Sequence, residues 1–73
     1  MSEIEFELRG EFVALCDLLK LTGIADSGGA GKALAAAGEV SVDGRTESRK
    51  TAKIRAGQRV VCRGVTIQVM PRA

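Results

Sequence analysis

Apolar and acidic residues alternate at the start of the chain. Ile4, Phe6 and Leu8 are separated by Glu5 and Glu7, which is the period-two pattern of a strand with one buried face and one solvent-exposed face. The sequence therefore predicts a first strand whose exposed face is acidic. Such a face should repel a polyanion.

After this strand, the spacing of apolar residues becomes that of a helix. From Glu11 to Leu21 they recur every three or four positions, so one side of a helix here would be apolar. Gly23 follows where a helix commonly ends, because glycine adopts the left-handed backbone conformation without strain. The predicted core residues of this helix are Phe12, Leu15, Cys16, Leu18 and Leu19.

A second helix is predicted from about Gly28 to Ala37. Asp26 or Ser27 can cap its start, and Gly38 lies where a terminating glycine is expected. The helix body is mostly alanine, with Leu34 as its large apolar anchor. Small side chains allow close approach to a neighbouring helix, so the two helices should form a compact hairpin.

The remainder of the chain has the periodicity of strands. Asp43-Gly44 predicts a hairpin with a type I′ turn, in which both central residues have positive φ. A short strand should return from Arg45 to Glu47, and a charged loop from Ser48 to Lys53 should precede Ile54, a predicted core anchor. Further predicted features are a turn at Ala56-Gly57 and a hairpin of Arg59–Cys62 with Val65–Val69 across Arg63-Gly64.

Together these elements predict an α+β fold, with a two-helix hairpin packed on a small, mostly antiparallel sheet. With 73 residues, the chain is expected to be one domain, residues 1–73, with a single thin core. No apolar run approaches the ~18 to 20 residues of a membrane span, and the N-terminus lacks the basic and then apolar pattern of a signal peptide. We therefore expect a cytoplasmic monomer.

The net charge of +2 conceals a strong asymmetry. Residues 1–44 carry eight acids and three bases, a net of −5, whereas residues 45–73 carry eight bases and one acid, a net of +7. A segment this basic favours a polyanionic partner, although a polar sheet face kept soluble by arginine would have the same charge. The bases are Arg45, Arg49, Lys50, Lys53, Arg55, Arg59, Arg63 and Arg72.

The chain has few of the residues that catalysis or metal binding requires. Histidine, the commonest general base and metal ligand, is absent. Cys16 and Cys62 lie far apart and cannot complete a four-ligand zinc set, so buried reduced thiols are predicted. The sequence therefore predicts no catalytic residue, no metal and no cofactor, and it argues against an enzyme.

Three glycines lie in the first turn of the second predicted helix, within Ser27-Gly28-Gly29-Ala30-Gly31-Lys32. A P-loop would need Ser or Thr where Ala33 stands, and a dinucleotide fingerprint would need glycine where Leu34 stands. Glycine in a helix interior costs about 1 kcal/mol relative to alanine, so something should offset this cost. Either the bare amides and the helix dipole bind a phosphate, with Lys32 nearby, or the turn packs closely against the first helix or the sheet.

The basic segment supplies the second candidate site, because several of its side chains could converge on one side of a hairpin and loop and contact phosphates. Arg59 and Arg63 are expected to face elsewhere. Tyrosine and tryptophan are absent, and Phe6 and Phe12 fall in core patterns, so no aromatic platform for single-stranded bases is expected. The candidates in this segment are Arg45, Arg49, Lys50, Lys53 and Arg55.

Five motifs occur in order along the chain: LLKLTGIADS at 18–27, GGAGK at 28–32, GEVSVDG at 38–44, TESRK at 46–50 and KIRAGQRV at 53–60. From about Leu15 to Val61 the chain resembles the RNA-binding domain first described in small-subunit ribosomal protein S-four, the alpha-L RNA-binding motif, and in particular its small stand-alone bacterial branch. The resemblance implies two helices followed by a small sheet, and binding of structured RNA through the helix pair and the adjoining basic loop.

The chain departs from the pattern of this family at four positions. Gly28 stands where many members have arginine, which would leave the helix start dependent on backbone amides. Gly31 stands where alanine is usual, Asp43 where asparagine is usual, and Gln58 where aspartate is usual. These three differences should bear mainly on local stability and turn geometry.

The leading hypothesis is therefore a protein that binds structured RNA by shape and backbone, with ribosomal RNA, transfer RNA or a ribosome-assembly intermediate as its target and no small-molecule substrate. One alternative is a protein-interaction module whose basic sheet edge docks an acidic partner, and another is a fold that binds a small anion or nucleotide. The resemblance implies RNA binding by Lys20, Ser27, Gly28, Gly29, Lys32, Arg49, Lys50 and Lys53, and the charge pattern adds Arg45 and Arg55 as predicted RNA-binding residues.

Overall fold

The computed structural model describes residues 2–72. Within this range the chain forms two helices and seven strands, which confirms the predicted α+β fold. No helix in this range is long and apolar enough to cross a bilayer. The helices are α1 (Leu15–Leu21) and α2 (Gly28–Ala36), and the strands are β1 (Ser2–Glu7), β2 (Val13–Ala14), β3 (Val40–Val42), β4 (Arg45–Thr46), β5 (Lys53–Ile54), β6 (Arg59–Cys62) and β7 (Val65–Met70).

Five strands form the main sheet, in the order β1-β7-β6-β3-β4. β1 pairs with β7 in parallel, and the other neighbours are antiparallel, so the prediction of a mostly antiparallel sheet is confirmed. Strand β1 lies at one edge of this sheet, with Glu3, Glu5 and Glu7 exposed. The predicted acidic face of the first strand is also confirmed.

Two tight hairpins turn at the predicted positions. Asp43 and Gly44 have φ values of 52° and 85°, as a type I′ turn requires. Arg63 and Gly64 have φ values of 51° and 78° and join β6 to β7. Because two-residue turns of this kind match the right-handed twist of the strands, they also fix the pairing register.

The core contains residues from both helices and from the sheet. Leu15, Leu18 and Leu19 of α1 are fully buried, in the same cluster as Ile67 and Val69 of β7. This arrangement places one face of α1 against the apolar face of the sheet and leaves its other face to solvent.

The first helix begins four residues later than predicted. Val13 and Ala14 are extended and pair antiparallel with Lys53 and Ile54, in a second, two-stranded sheet. The prediction that the helix begins at Glu11 is therefore wrong, because backbone pairing with a distant strand overrides the local helical spacing. The assignment of Phe12 to the core is also wrong, since its side chain is 44% exposed.

The second helix agrees closely with its prediction. Ser27, rather than Asp26, is the cap, and its Oγ accepts a hydrogen bond from the Ala30 N–H at 3.1 Å. Gly38 has φ of 75°, and the amides of Gly38 and Glu39 donate back to carbonyls in the last turn. This pattern is the Schellman ending that a glycine at this position permits.

Both cysteines are buried and free, as predicted. Burial raises the pKa of the Cys62 thiol above its ordinary value of 9.0, and the nearby Glu39 carboxylate raises it further. The thiol therefore stays protonated and unreactive at neutral pH.

Candidate nucleic-acid interface

The start of α2 has backbone amides that the rest of the described chain does not use. Four amides at a helix start lack an intrahelical acceptor, and that of Ala30 is satisfied here by the Ser27 Oγ. The first intrahelical bond runs from the Gly31 amide to the Ser27 carbonyl. Within residues 2–72, the amides of Gly28 and Gly29 have no acceptor. The positive end of the α2 dipole therefore lies beside two free N–H groups.

The three glycines of this turn differ in the space around them. A Cβ on Gly31 would lie 2.7 Å from the carbonyl oxygen of Cys16 in α1, so close packing of the two helices requires glycine here. A Cβ on Gly28 would meet no described atom within 4 Å, and one on Gly29 would meet only the Ser27 Oγ, at 3.7 Å. Packing therefore explains Gly31 and leaves Gly28 and Gly29 unexplained.

The start of α1, in contrast, is closed by the basic loop, which we define as residues Arg49–Arg55. The amide of Leu15 donates to the carbonyl of Ala52 at 2.9 Å, and the amide of Cys16 donates to the carbonyl of Lys50 at 3.0 Å. Because Cys16 also contacts Gly31, a single residue connects the basic loop to the first turn of α2. The two parts of the predicted site are neighbours.

Within the loop, Arg49 forms a two-point ion pair with Glu47. Its Nη2 lies 3.1 Å from Glu47 Oε1 and its Nε lies 3.2 Å from Oε2, while its backbone amide also donates to Oε2. The Arg49 guanidinium and amide lower the pKa of the Glu47 carboxyl below its ordinary value of 4.5, and the carboxylate raises the pKa of Arg49. The Arg49 side chain remains 79% exposed, so it is oriented by Glu47 without being buried.

Three predicted bases share one shallow surface depression. Arg49, Lys53 and Arg55 line it together with Thr51 and Ala52. The Lys50 side chain is exposed in the same loop. The depression therefore brings together cations from both ends of the basic loop.

Both predicted lysines of the helix pair are exposed. Lys32 is exposed in α2 directly after Gly31. Lys20 is exposed in the last turn of α1, one helical turn beyond Cys16. Their assignment to the site stays a prediction.

Arg45 is the predicted residue that lies apart from this group. It belongs to β4 at the edge of the main sheet, beside the Asp43-Gly44 turn. Nothing described within residues 2–72 joins its side chain to the basic loop by a hydrogen bond or an ion pair. Its assignment to the site stays a prediction.

Arg59 and Arg63 have neighbours other than the basic loop, and Arg59 lines a separate depression with Asp43, Gly44 and Gly57. Arg63 pairs with Glu39, with Nε 3.2 Å from Oε1. The amide of Arg59 donates to Asp43 Oδ1 at 3.0 Å. Asp43 also accepts a hydrogen bond from Gln58 at 3.2 Å, so two of the residues that depart from the family pattern contact each other and brace this turn.

Sequence reasoning missed one residue of this surface, Phe12. Its exposed ring lies beside two bases of the basic loop, with its centroid 5.0 Å from Lys53 Nζ and 5.7 Å from Arg55 Cζ. Both distances are within the range of a cation–π interaction. The two-residue pairing of β2 with β5 creates this proximity, and such short strands have no clear signal in sequence.

Among the described residues, no group of three or more His, Cys, Asp and Glu side chains could hold a metal ion. The surface presents hydrogen-bond donors, positive charge and one aromatic ring. Such a combination suits an anionic polymer that carries planar bases.

The fold and this surface define a class of protein. Residues 6–70 match the model of the S4 domain family, and the chain belongs to that family.

Two proteins with the name YbcJ are similar to this chain. "Putative RNA-binding protein YbcJ" of Escherichia coli (strain K12) and "Uncharacterized protein YbcJ" of Shigella flexneri are each 52% identical to it over 58 residues, which cover 80% of this chain and 83% of theirs. The solution structure of YbcJ from E. coli, described as revealing an αL motif involved in RNA binding, superposes with a TM-score of 0.70 at 48% identity. That comparison covers 90% of this chain and 85% of the other. The expected alpha-L fold is thus confirmed.

Proposed function

We propose that this chain is a non-enzymatic protein that binds structured RNA through phosphate contacts from two adjoining parts. One part is the start of α2, with the free amides of Gly28 and Gly29 and the side chain of Lys32. The other is the basic loop. Membership of the S4 domain family and similarity to a protein named for RNA binding support the proposal.

The observation that carries the proposal is the double contact of Cys16. Its amide is bonded to the Lys50 carbonyl, and its own carbonyl lies against Gly31. A helix start alone would hold one phosphate, and a flexible basic loop alone would attract any polyanion without fixing it. Joined through one buried residue, they form a surface with a set spacing, which suits the regular phosphates of a folded RNA.

The charges of this surface set the expected strength and salt dependence. If the lysines of the helices and the bases of the loop neutralise about four to six phosphates, log affinity should fall with log salt at a slope of about −3 to −5. The acidic strand β1 lies at a sheet edge and contributes no base.

A filter-binding titration of a folded RNA at several salt concentrations tests the proposal. We expect binding at low salt and the slope given above. No binding at low salt, or an affinity that does not respond to salt, would contradict it. If the protein instead copurifies stably with an acidic protein after nuclease treatment, the basic surface serves protein interaction.

We further propose that the target is ribosomal RNA, transfer RNA or a ribosome-assembly intermediate, bound by a monomer. The rationale is that these RNAs are extensively folded and that the proposed surface contacts RNA phosphates more than base edges. Crosslinking in cells followed by sequencing of the bound RNA would identify the target. Enrichment of messenger RNA alone would contradict this part of the proposal.

A further inference from the structure

The ring of Phe12 lies outside the hydrophobic core. Full burial of a phenylalanine side chain stabilises a protein by about 1.5–3 kcal/mol relative to exposure, yet this side chain is 44% exposed and does not belong to the core cluster. Pairing of Val13 with Ile54 directs those two side chains inward. Phe12 immediately precedes this strand, and continued alternation of side chains would direct it outward, in agreement with its exposure.

The neighbours of the ring are also fixed by this pairing. Lys53 and Arg55 flank the buried Ile54 on β5 and its extension, so both point to the same outer side as Phe12. Their cationic groups lie within 6 Å of the ring centroid, at 5.0 and 5.7 Å. Both bases also line the depression that includes Arg49.

This group has the chemistry that recognises one nucleotide. An aromatic ring stacks on any nucleobase, and adjacent lysine and arginine side chains bind the phosphates on either side. Bases within a duplex are covered on both faces by their neighbours, so a base that stacks on a protein ring must be unpaired. A regular duplex would satisfy the cations but offer no base to the ring.

We infer that Phe12, Lys53 and Arg55 form a subsite for a single unpaired nucleotide, whose base stacks on Phe12. The inference rests on the proposed function and narrows it: the RNA is a helix interrupted by a bulge or loop, and the unpaired base lies beside the phosphates that Arg49 and Lys50 contact. The rest of the surface contacts the RNA backbone, and the ring adds a preference for RNA that has an unpaired base.

Two hairpin RNAs with the same stem, each closed by a non-nucleotide linker so that no loop base is unpaired, test this inference. One carries a single bulged 2-aminopurine, whose fluorescence falls when it stacks, and the other is fully paired. We expect wild type to bind the bulged hairpin more tightly and to quench its fluorescence. Phe12→Ala should weaken binding to the bulged hairpin by about 5- to 150-fold, the range measured for loss of one base–aromatic stack, and leave the paired hairpin unchanged.

Three further variants show whether the preference depends on the aromatic ring itself. Phe12→Trp should retain the preference and the quenching, whereas Phe12→Leu, which keeps an apolar side chain, should lose both. Leu21→Ala removes an apolar side chain that is 63% exposed on α1 and should leave both affinities unchanged. Thermal melting of each variant shows that it is folded.

The outcomes separate the inference from the proposed function. Equal weakening of both hairpins by Phe12→Ala would mean that the ring merely orients Lys53 and Arg55, and would overturn the inference while leaving RNA binding intact. Wild-type binding with no preference for the bulge would overturn it as well. If wild type binds neither hairpin at low salt, the proposed function fails.

Discussion

The two helices begin in contact with one another, but their first turns are satisfied in different ways. At the start of α1, the amides of Leu15 and Cys16 donate to carbonyls of the basic loop. At the start of α2, Ser27 caps one amide, and the amides of Gly28 and Gly29 remain free within the described chain. The carbonyls of the loop thus satisfy the α1 amides as an anion would satisfy those of α2. Of the two helix starts, we therefore propose only that of α2 as a phosphate site, beside the basic loop.

The largest expected effect concerns the contact that holds the two helix starts together. Gly31→Ala places a methyl group 2.7 Å from the Cys16 carbonyl oxygen, a backbone atom that cannot rotate away. Overpacking of this kind costs about 1–3 kcal/mol of unfolding free energy. Urea denaturation followed by circular dichroism measures it. Gly28→Ala is the matched control, because its Cβ meets nothing within 4 Å, and equal stability of the two variants would contradict the helix contact.

The next effect concerns the loop that closes α1. Arg49→Ala combined with Lys50→Ala removes two charges, so the slope of log affinity against log salt should become shallower by about 2, and binding should weaken across RNA sequences alike. Glu5→Ala, on the acidic edge strand, should leave the slope unchanged. Filter binding at several salt concentrations measures both, and equal losses from the two changes would show that the binding face has been assigned wrongly.

A smaller effect is expected at the open start of α2. Gly29→Ala adds a methyl group with room for it, 3.7 Å from the Ser27 Oγ, and alanine is the better helix former by up to about 1 kcal/mol. The variant should therefore melt at the same or a higher temperature, yet bind RNA several-fold more weakly because the methyl group hinders a phosphate near the amides. Unchanged affinity would indicate that the glycine serves no ligand.

The contrast between the two helix starts also explains what could be predicted from sequence. Ser27 caps the start of α2 and Gly38 ends it, and Asp43-Gly44 forms its hairpin because both residues adopt positive φ. All these signals operate within a few residues. They can therefore be read without knowledge of the fold, as can the alternation of the first strand.

The start of α1 could not be predicted in this way. Its position depends on pairing of Val13 with Ile54, residues far apart in the chain, and the helical spacing from Glu11 onward gives no warning of it. The exposure of Phe12 follows from the same pairing. At the site, the sequence is compatible with both a phosphate role and close packing for the glycine turn, and only the folded chain assigns packing to Gly31.

The smallest expected effect is that of pH. RNA affinity should not change with pH near neutrality, and the stability of the fold should change only in acid. The pKa of Glu47 is lowered below 4.5 by its bonds to Arg49, so the folded state favours the carboxylate, and the stabilisation is present above the unfolded pKa and lost as pH falls through the folded pKa. With no histidine in the chain, no side chain has an ordinary pKa between about 5.5 and 7. RNA affinity should thus be constant over that range.

Glu47→Gln shows whether this ion pair braces the loop that closes α1. Wild type should be more stable than the variant by a constant amount from about pH 5.5 to 7, and the difference should shrink as the pH falls below about 4.5, where the carboxylate becomes protonated. Thermal melting of both proteins across this range measures it. A difference that stays constant into acid would mean that Glu47 stabilises the loop without its charge. In that case the backbone carbonyls of Lys50 and Ala52 would hold the start of α1 without help from the Glu47 charge. Of the two helix starts, only that of α2 would then depend on charge, through the anion that it binds.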